Sequence, residues 1–419
     1  MLVSRELYQE EKVTESNMKR RLYIGAILVG SFFAPFTYNL QHGSAAAQGK
    51  SSKQAPRFEV DPLWPKPLPN HWVLGSVTGV AVDAQDHIWI THRGADSLAN
   101  NEKGSILNPP TGCCVPAPQV LEFDQAGNLL SHWGGPGQGF EWPQSTGGIA
   151  VDPKGNVWIA AAGIVAPAQG AQAAAARPGT APAPPRPQDA HVLKFSRSGQ
   201  FLLQIGHAGK VEGSASKTGF NRPAALSVDP SADEVYIADG FGNHRVVVFD
   251  AETGSYKRHW GAYGEKPDDR GVGIYSPDAA PSKQFRTVTC AAVSKDGFVY
   301  VCDRDSDRIQ VFQKDGKFIK EAFLSKGTLG DGSTWDIAFS ADPRQRFLYV
   351  ADGHDKKVWI LQRDTLEVVS SFGDGGRLPG QFYGVGSIAV DSKGNIYTGE
   401  TYEGKRVQKF VYKGMGSSR

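Results

Sequence analysis

Residues 385–400 read VGSIAVDSKGNIYTGE, and residues 146–161 read TGGIAVDPKGNVWIAA. Each is an apolar run closed by Asp, a turn containing Lys-Gly-Asn, and a second apolar run with an aromatic near its start. The pattern occurs six times. The first run ends at Val82-Asp83, Val151-Asp152, Val228-Asp229, Val293-Ser294, Phe339-Ser340 and Val390-Asp391. The aromatic follows at Trp89, Trp158, Tyr236, Tyr300, Tyr349 and Tyr397. Gly and Asn in the turn supply the positive φ that tight hairpins need, so each unit opens as strand, turn, strand. A third apolar run follows each time: VLEF (120–123), VLKF (192–195), VVVF (246–249), IQVF (309–312), VWIL (358–361) and VQKF (407–410). Five units add a fourth: LLSHW, FLLQI, YKRHW, FIKEAF and VVSSF.

Four short strands per unit, repeated around an axis, predict an all-β, six-bladed β-propeller. The sixth unit lacks a fourth strand of its own. A strand from the N-terminal segment is expected to supply it and close the ring, which removes the open sheet edge at the seam. HWVLG (71–75), which looks like SHWGG (131–135), is the segment expected to do so. The predicted organisation is an N-terminal extension and signal peptide over 1–47, a linker over 48–55, the propeller over 56–414, and a tail over 415–419. Loop insertions are expected at 94–118 and 160–190; the second is an Ala/Pro tract with no pattern to pack, expected to be solvated.

The leader carries Lys19-Arg20-Arg21, an apolar run over 22–38, and small residues at Ala45 and Ala47. That order is a secretory signal, with Met18 an alternative start and an uncleaved anchor the competing reading. Pro35 interrupts the run, which is also short for a span. The mature domain is therefore expected to be periplasmic or secreted, not membrane-spanning, and monomeric. A net charge of +2 over 419 residues gives no basic surface for nucleic acid.

The units resemble NHL repeats, most clearly ADGFGNHRVVVF (238–249) and CDRDSDRIQVF (302–312). Across the propeller the chain resembles peptidyl-α-hydroxyglycine α-amidating lyase, including the HRG of GVAVDAQDHIWITHRG (79–94). That resemblance implies a zinc held by three His, a structural calcium, two substrate-binding arginines and a catalytic tyrosine. The arginines fall on Arg93 and Arg304. The tyrosine position falls on Phe241, which has no ionisable oxygen. The zinc positions fall on Gly147, Thr289 and Gly386, and the calcium carboxylate falls near Ser387. Glycine cannot ligate zinc through a side chain.

Other residues offer a substitute set. His92, His244 and His354 lie in or beside loops between second and third strands. Asp239, Asp303, Asp352 and Glu400 end second strands on the same face, where they either join a divalent-cation site or cap turns. Arg245 and Arg308, at a repeated position, read as structural. The four cysteines leave alternatives open. Cys290 and Cys302 fall opposite each other on adjacent strands, as a disulfide or as buried thiols. Cys113-Cys114 form a vicinal disulfide, pair elsewhere, or bind a soft metal. No Ser-His-Asp order, phosphate loop or HExxH motif is present.

The expected function is binding of a small anionic or peptide ligand at the open channel face, through Arg93, Arg304 and the wall at Phe241. The alternatives are a metal-dependent lyase or hydrolase with a different ligand set, zinc or calcium being the candidate ions, and a protein-interaction scaffold.

Overall fold

The computed structural model describes residues 54–163 and 187–417. The predicted signal peptide, the linker up to residue 53, the Ala/Pro tract over 164–186 and the last two residues lie outside the described residues. No helix among the described residues is long and apolar enough to cross a membrane.

Six four-stranded antiparallel sheets form the six blades of a propeller. Their inner strands are Val77–Val82, Thr146–Val151, Ala225–Asp229, Val288–Val293, Asp336–Phe339 and Val385–Val390. The repeated Asp and the repeated aromatic belong to one device. Asp83 Oδ2 accepts from Trp89 Nε1 at 3.0 Å, Asp152 Oδ2 from Trp158 Nε1 at 3.4 Å, and Asp391 Oδ2 from the Tyr397 hydroxyl at 3.0 Å. Each of these carboxylates also accepts backbone N–H groups of its own turn. The turn is thereby tied to the second strand's buried ring, which explains the fixed spacing in sequence.

Six apolar clusters lie between successive blades. Trp89 with Ile149 fills the seam of blades one and two, and Tyr397 with Val77 fills that of blades six and one. Blades are thus held face to face by burial, worth about 25 cal/mol per Å² of apolar area. Near the axis each seam also carries a hydrogen bond. Thr91 Oγ1 donates to Gly147 O (2.9 Å), Gly148 N to Ala224 O (2.8 Å), and Ser227 Oγ to Ala291 O. Thr289 Oγ1 donates to Thr334 O (3.2 Å), Ile388 N to Asp336 Oδ2 (3.0 Å), and Ser76 Oγ to Tyr402 O (2.7 Å).

The ring is closed by an N-terminal strand, but not by the segment expected. Gln54–Asp61 pairs antiparallel with Arg406–Ser417, placing Phe58 opposite Tyr412 and Val60 opposite Phe410. Phe58 packs on Tyr349 and Phe372, with ring centroids 5.5 and 5.2 Å apart. This aromatic face is what HWVLG lacks. Only Trp72–Val73 of that segment is extended, and it pairs in parallel with Val115–Pro116 of the blade-one insertion. The residues read as a tail continue the strand to Ser417, and residues 160 and 161, read as insertion, end blade two's second strand, Val157–Ala161. Cys290 and Cys302 stand in register and are bonded, with Cα atoms 4.9 Å apart. Cys113 and Cys114 are bonded to each other.

Candidate functional site

Inner strands converge, so the loops entering them and the loops leaving second strands meet around one opening. A cavity of about 800 Å³ lies there. Its ionisable lining consists of Arg93, Arg222, Arg304, Asp305, Asp336 and Tyr402.

The structure brings Arg93, Arg304 and Phe241 to this cavity. Arg304 is held on three sides. Its guanidinium lies 4.8 Å from the Trp335 ring and 5.7 Å from the Phe241 ring, and Nε donates to Asp305 Oδ1 at 2.9 Å. Asp305 is fixed in turn by the Thr287 hydroxyl. Arg93 has no ion-pair partner among the described residues, and its buried Nε has no hydrogen-bond acceptor. Burial pulls its pKa down, and the neighbouring Tyr402 opposes that shift. A guanidinium in this position gains by meeting an anion.

Several cavity residues escaped the sequence reading, among them Arg222, Tyr402 and Asp336. Arg222 donates to the Phe241 carbonyl, and burial lowers its pKa. Its φ of 59° is left-handed, a conformation that costs a non-glycine residue energy and is found where the surroundings impose it. Tyr402 shares that conformation, with φ 52°, and its hydroxyl donates to Asp331 at 3.2 Å. Burial and Asp331 push the phenol's pKa up, so it holds its proton. Asp336 faces the cavity at the seam of blades five and six; burial raises its carboxyl to about 7. Arg222 and Trp335 stand just before inner strands and Asp336 opens one, in NRPAALSVD (221–229) and STWDIAFS (333–340), which is the signal that marks them.

All three positions implied for zinc line the cavity, on blades two, four and six. The residues there do not fit the ion. A Cβ on Gly147 would lie 2.6 Å from the Ala224 carbonyl oxygen, so that glycine permits close backbone packing. The Thr289 hydroxyl is committed to the Thr334 carbonyl. Gly386 is the less crowded glycine, its nearest neighbour being Thr401 Cγ2 at 3.3 Å, a side-chain atom that would have to give way. Ser387, at the calcium-associated position, is buried and brings a hydroxyl rather than a carboxylate.

The substitute histidines are not brought together. His92 is buried in blade one, and Nδ1 accepts from the N–H groups of Gly75 and Gly94. Its Nε2 bonds the Pro118 carbonyl at 2.9 Å, and burial lowers its pKa to about 4. Both nitrogens are therefore used by the fold. His244 is half-buried in blade three and His354 exposed in blade five; none of the three lines the cavity. The carboxylates that end second strands serve the loops. Asp239 bonds Arg245 Nε at 2.9 Å and Asp303 bonds Arg308 Nε at 2.9 Å, all four side chains fully buried. Glu400 takes Arg406, while Asp352 takes Trp359 Nε1 and two backbone N–H groups. Asp83, His87 and Glu122 are close enough to share an ion, but they lie by the opposite-face turns, and the Arg197 guanidinium already bonds all three.

Comparison with known proteins finds similarity in sequence. The NHL repeat model matches residues 220–249. Peptidylglycine alpha-amidating monooxygenase of Rattus norvegicus is 24% identical over 250 residues, covering 59% of this chain and 22% of that protein. The match thus spans less than a quarter of the relative's length. NHL repeat-containing protein 3 of Mus musculus is 24% identical over 318 residues, covering 75% of this chain and 70% of the relative. A solved streptogramin B lyase structure aligns with a TM-score of 0.48 at 9% identity, covering 85% of this chain and 98% of that one. The chain is a six-bladed β-propeller carrying an NHL repeat, and it is related to the amidating enzymes.

Proposed function

We propose that this propeller binds a small carboxylate-bearing ligand, such as a peptide C-terminus, in its axial cavity. The observation that carries this reading is the charge imbalance of the lining. Arg93, Arg222 and Arg304 share one cavity, and among the described residues only Arg304 has a carboxylate partner there. Guanidiniums held by aromatic faces and backbone lose little freedom on binding a carboxylate in bidentate fashion. The rat relative's name concerns peptidylglycine, which ends in a carboxylate. The domain is a degenerate relative of the amidating lyases rather than a copy of their mechanism, since Gly147, Thr289 and Phe241 offer neither zinc ligand nor base. Both disulfides suit an exported protein, which supports a periplasmic or secreted location.

Calorimetric titration with an N-acylglycine tests the reading. Binding should vanish for the matching N-acylglycinamide, and Arg93→Gln should weaken it tenfold or more, as loss of a charge-assisted hydrogen bond does. Equal binding of acid and amide, or no effect of Arg93→Gln, would overturn it.

A further inference from the structure

Asp336 has a feature that the fold does not require. Six blade seams are each bridged near the axis, and the other five use hydroxyl or backbone groups alone. Only the seam of blades five and six uses an acid, whose Oδ2 takes the Ile388 N–H at 3.0 Å while Oδ1 takes the Ile337 N–H at 2.9 Å. An asparagine oxygen would serve Ile388 equally well without placing an ionisable group in the cavity wall. Asp336 makes no ion pair among the described residues, whereas Asp305, the other acid of the lining, is taken by Arg304. The position of Asp336 is also defined. Trp335, the preceding residue, is the ring on which Arg304 rests, and the site of a Gly386 Cβ lies 3.6 Å from that ring. The wall therefore runs from a guanidinium across an indole to an unpaired carboxyl.

We infer that Asp336 is the second pole of the site, and that the cavity takes a ligand with a carboxylate at one end and an ammonium group at the other. This rests on the carboxylate reading above and narrows it: the arginines hold the acid end, and Asp336 selects among acids for those that carry an amine. The ammonium donates to the free lone pairs of Asp336, whose backbone bonds to Ile337 and Ile388 stay in place. The ammonium favours the ionised carboxyl, so binding near neutrality expels the proton that burial helps Asp336 to retain.

The test is a calorimetric series of ω-amino carboxylates from glycine to 6-aminohexanoate, each beside its unaminated alkanoate, on the full chain and on Asp336→Asn. The best amino acid should bind at least tenfold tighter than its alkanoate. That preference should fall to near parity in Asp336→Asn, with alkanoate affinity unchanged or improved. On the wild-type protein, titration at pH 7 in two buffers of different ionisation enthalpy should show net proton release with the amino acid and none with the alkanoate. This needs no variant and holds if Asp336→Asn folds poorly. Alkanoates binding as well as amino acids, with no proton release, overturns the role of Asp336 and leaves the carboxylate reading standing. Neither series binding overturns both.

Discussion

Arg93 directly follows the second strand of blade one and Arg245 opens the third strand of blade three, yet the two arginines do different work. Arg245 is fully buried, paired with Asp239, and bonded to the carbonyls of Ser214, Ser216 and Gly219. Arg308 repeats the arrangement with Asp303, Ser282 and Gln284, and Arg406 does so with Glu400 and Gln381. These guanidiniums bolt the long inter-blade loops to the strands. Arg93 and Arg222 reach the cavity without a carboxylate. An arginine whose charge is answered inside the protein is part of the fold. One whose charge is left open at a cavity wall is what the proposed carboxylate ligand would answer.

The contrast is broken most directly at Arg245. Arg245→Ala leaves Asp239 buried without its partner and should cost about 3–5 kcal/mol in urea unfolding. A loss below about 1 kcal/mol would mean that the bolts are ornamental and that the two sets of arginines do not differ in kind. A smaller effect separates two glycines of the cavity wall. Gly147→His must push against the Ala224 carbonyl and should cost about 2–3 kcal/mol. Gly386→His meets only Thr401 and the Trp335 ring and should cost less than about 1 kcal/mol. Equal melting temperatures for the two variants would contradict the packing described for blades two and three.

The last effect belongs to Asp336 and depends on pH. Its carboxyl is held near 7 in the folded chain, above the unfolded value near 4, so folding favours the protonated form. Its contribution to stability is complete below about pH 4 and is lost as pH rises through about 7. Asp336→Asn should therefore leave stability almost unchanged at pH 4 and raise it by about 2 kcal/mol at pH 8, water in the cavity screening part of the full shift. Thermal unfolding at both pH values reads this directly. A variant that is no more stable at pH 8 would place Asp336 among ordinary ionised surface acids.

The fold was legible because its repeat is written twice over. The Asp that closes an inner strand and the aromatic that follows are bonded in blades one, two and six, so the spacing records a contact rather than a habit. The closing strand was misplaced because HWVLG shares letters with SHWGG but not the task. Phe58 and Val60 alternate in RFEVD (57–61), and that period marks the strand that lies on blade five's aromatics. Three residues of the cavity lining, Arg93, Arg304 and Phe241, were readable by resemblance. Arg222, Trp335, Asp336 and Tyr402 were not, because they gather only when the ring closes and blades three, five and six face one another. The positions implied for zinc line the cavity, but that Gly147 is a packing glycine depends on Ala224, 77 residues away in sequence (224 − 147).

The strand that closes the ring also sets an order of events. Gln54–Asp61 is synthesised first among the described strands, and its partner Arg406–Ser417 is synthesised last. Until blade six is complete the early strand has no ladder to join, and the growing sheets present a raw edge at each end. Closing a loop of this span costs chain entropy that no local contact offsets, so the seam forms only after the blades on either side of it can present their edges. A nascent chain is therefore most exposed to aggregation and proteolysis just before its final strand is made, and a substitution at Phe58 or Phe410 will lower the yield of folded protein more than its effect on the finished ring would suggest.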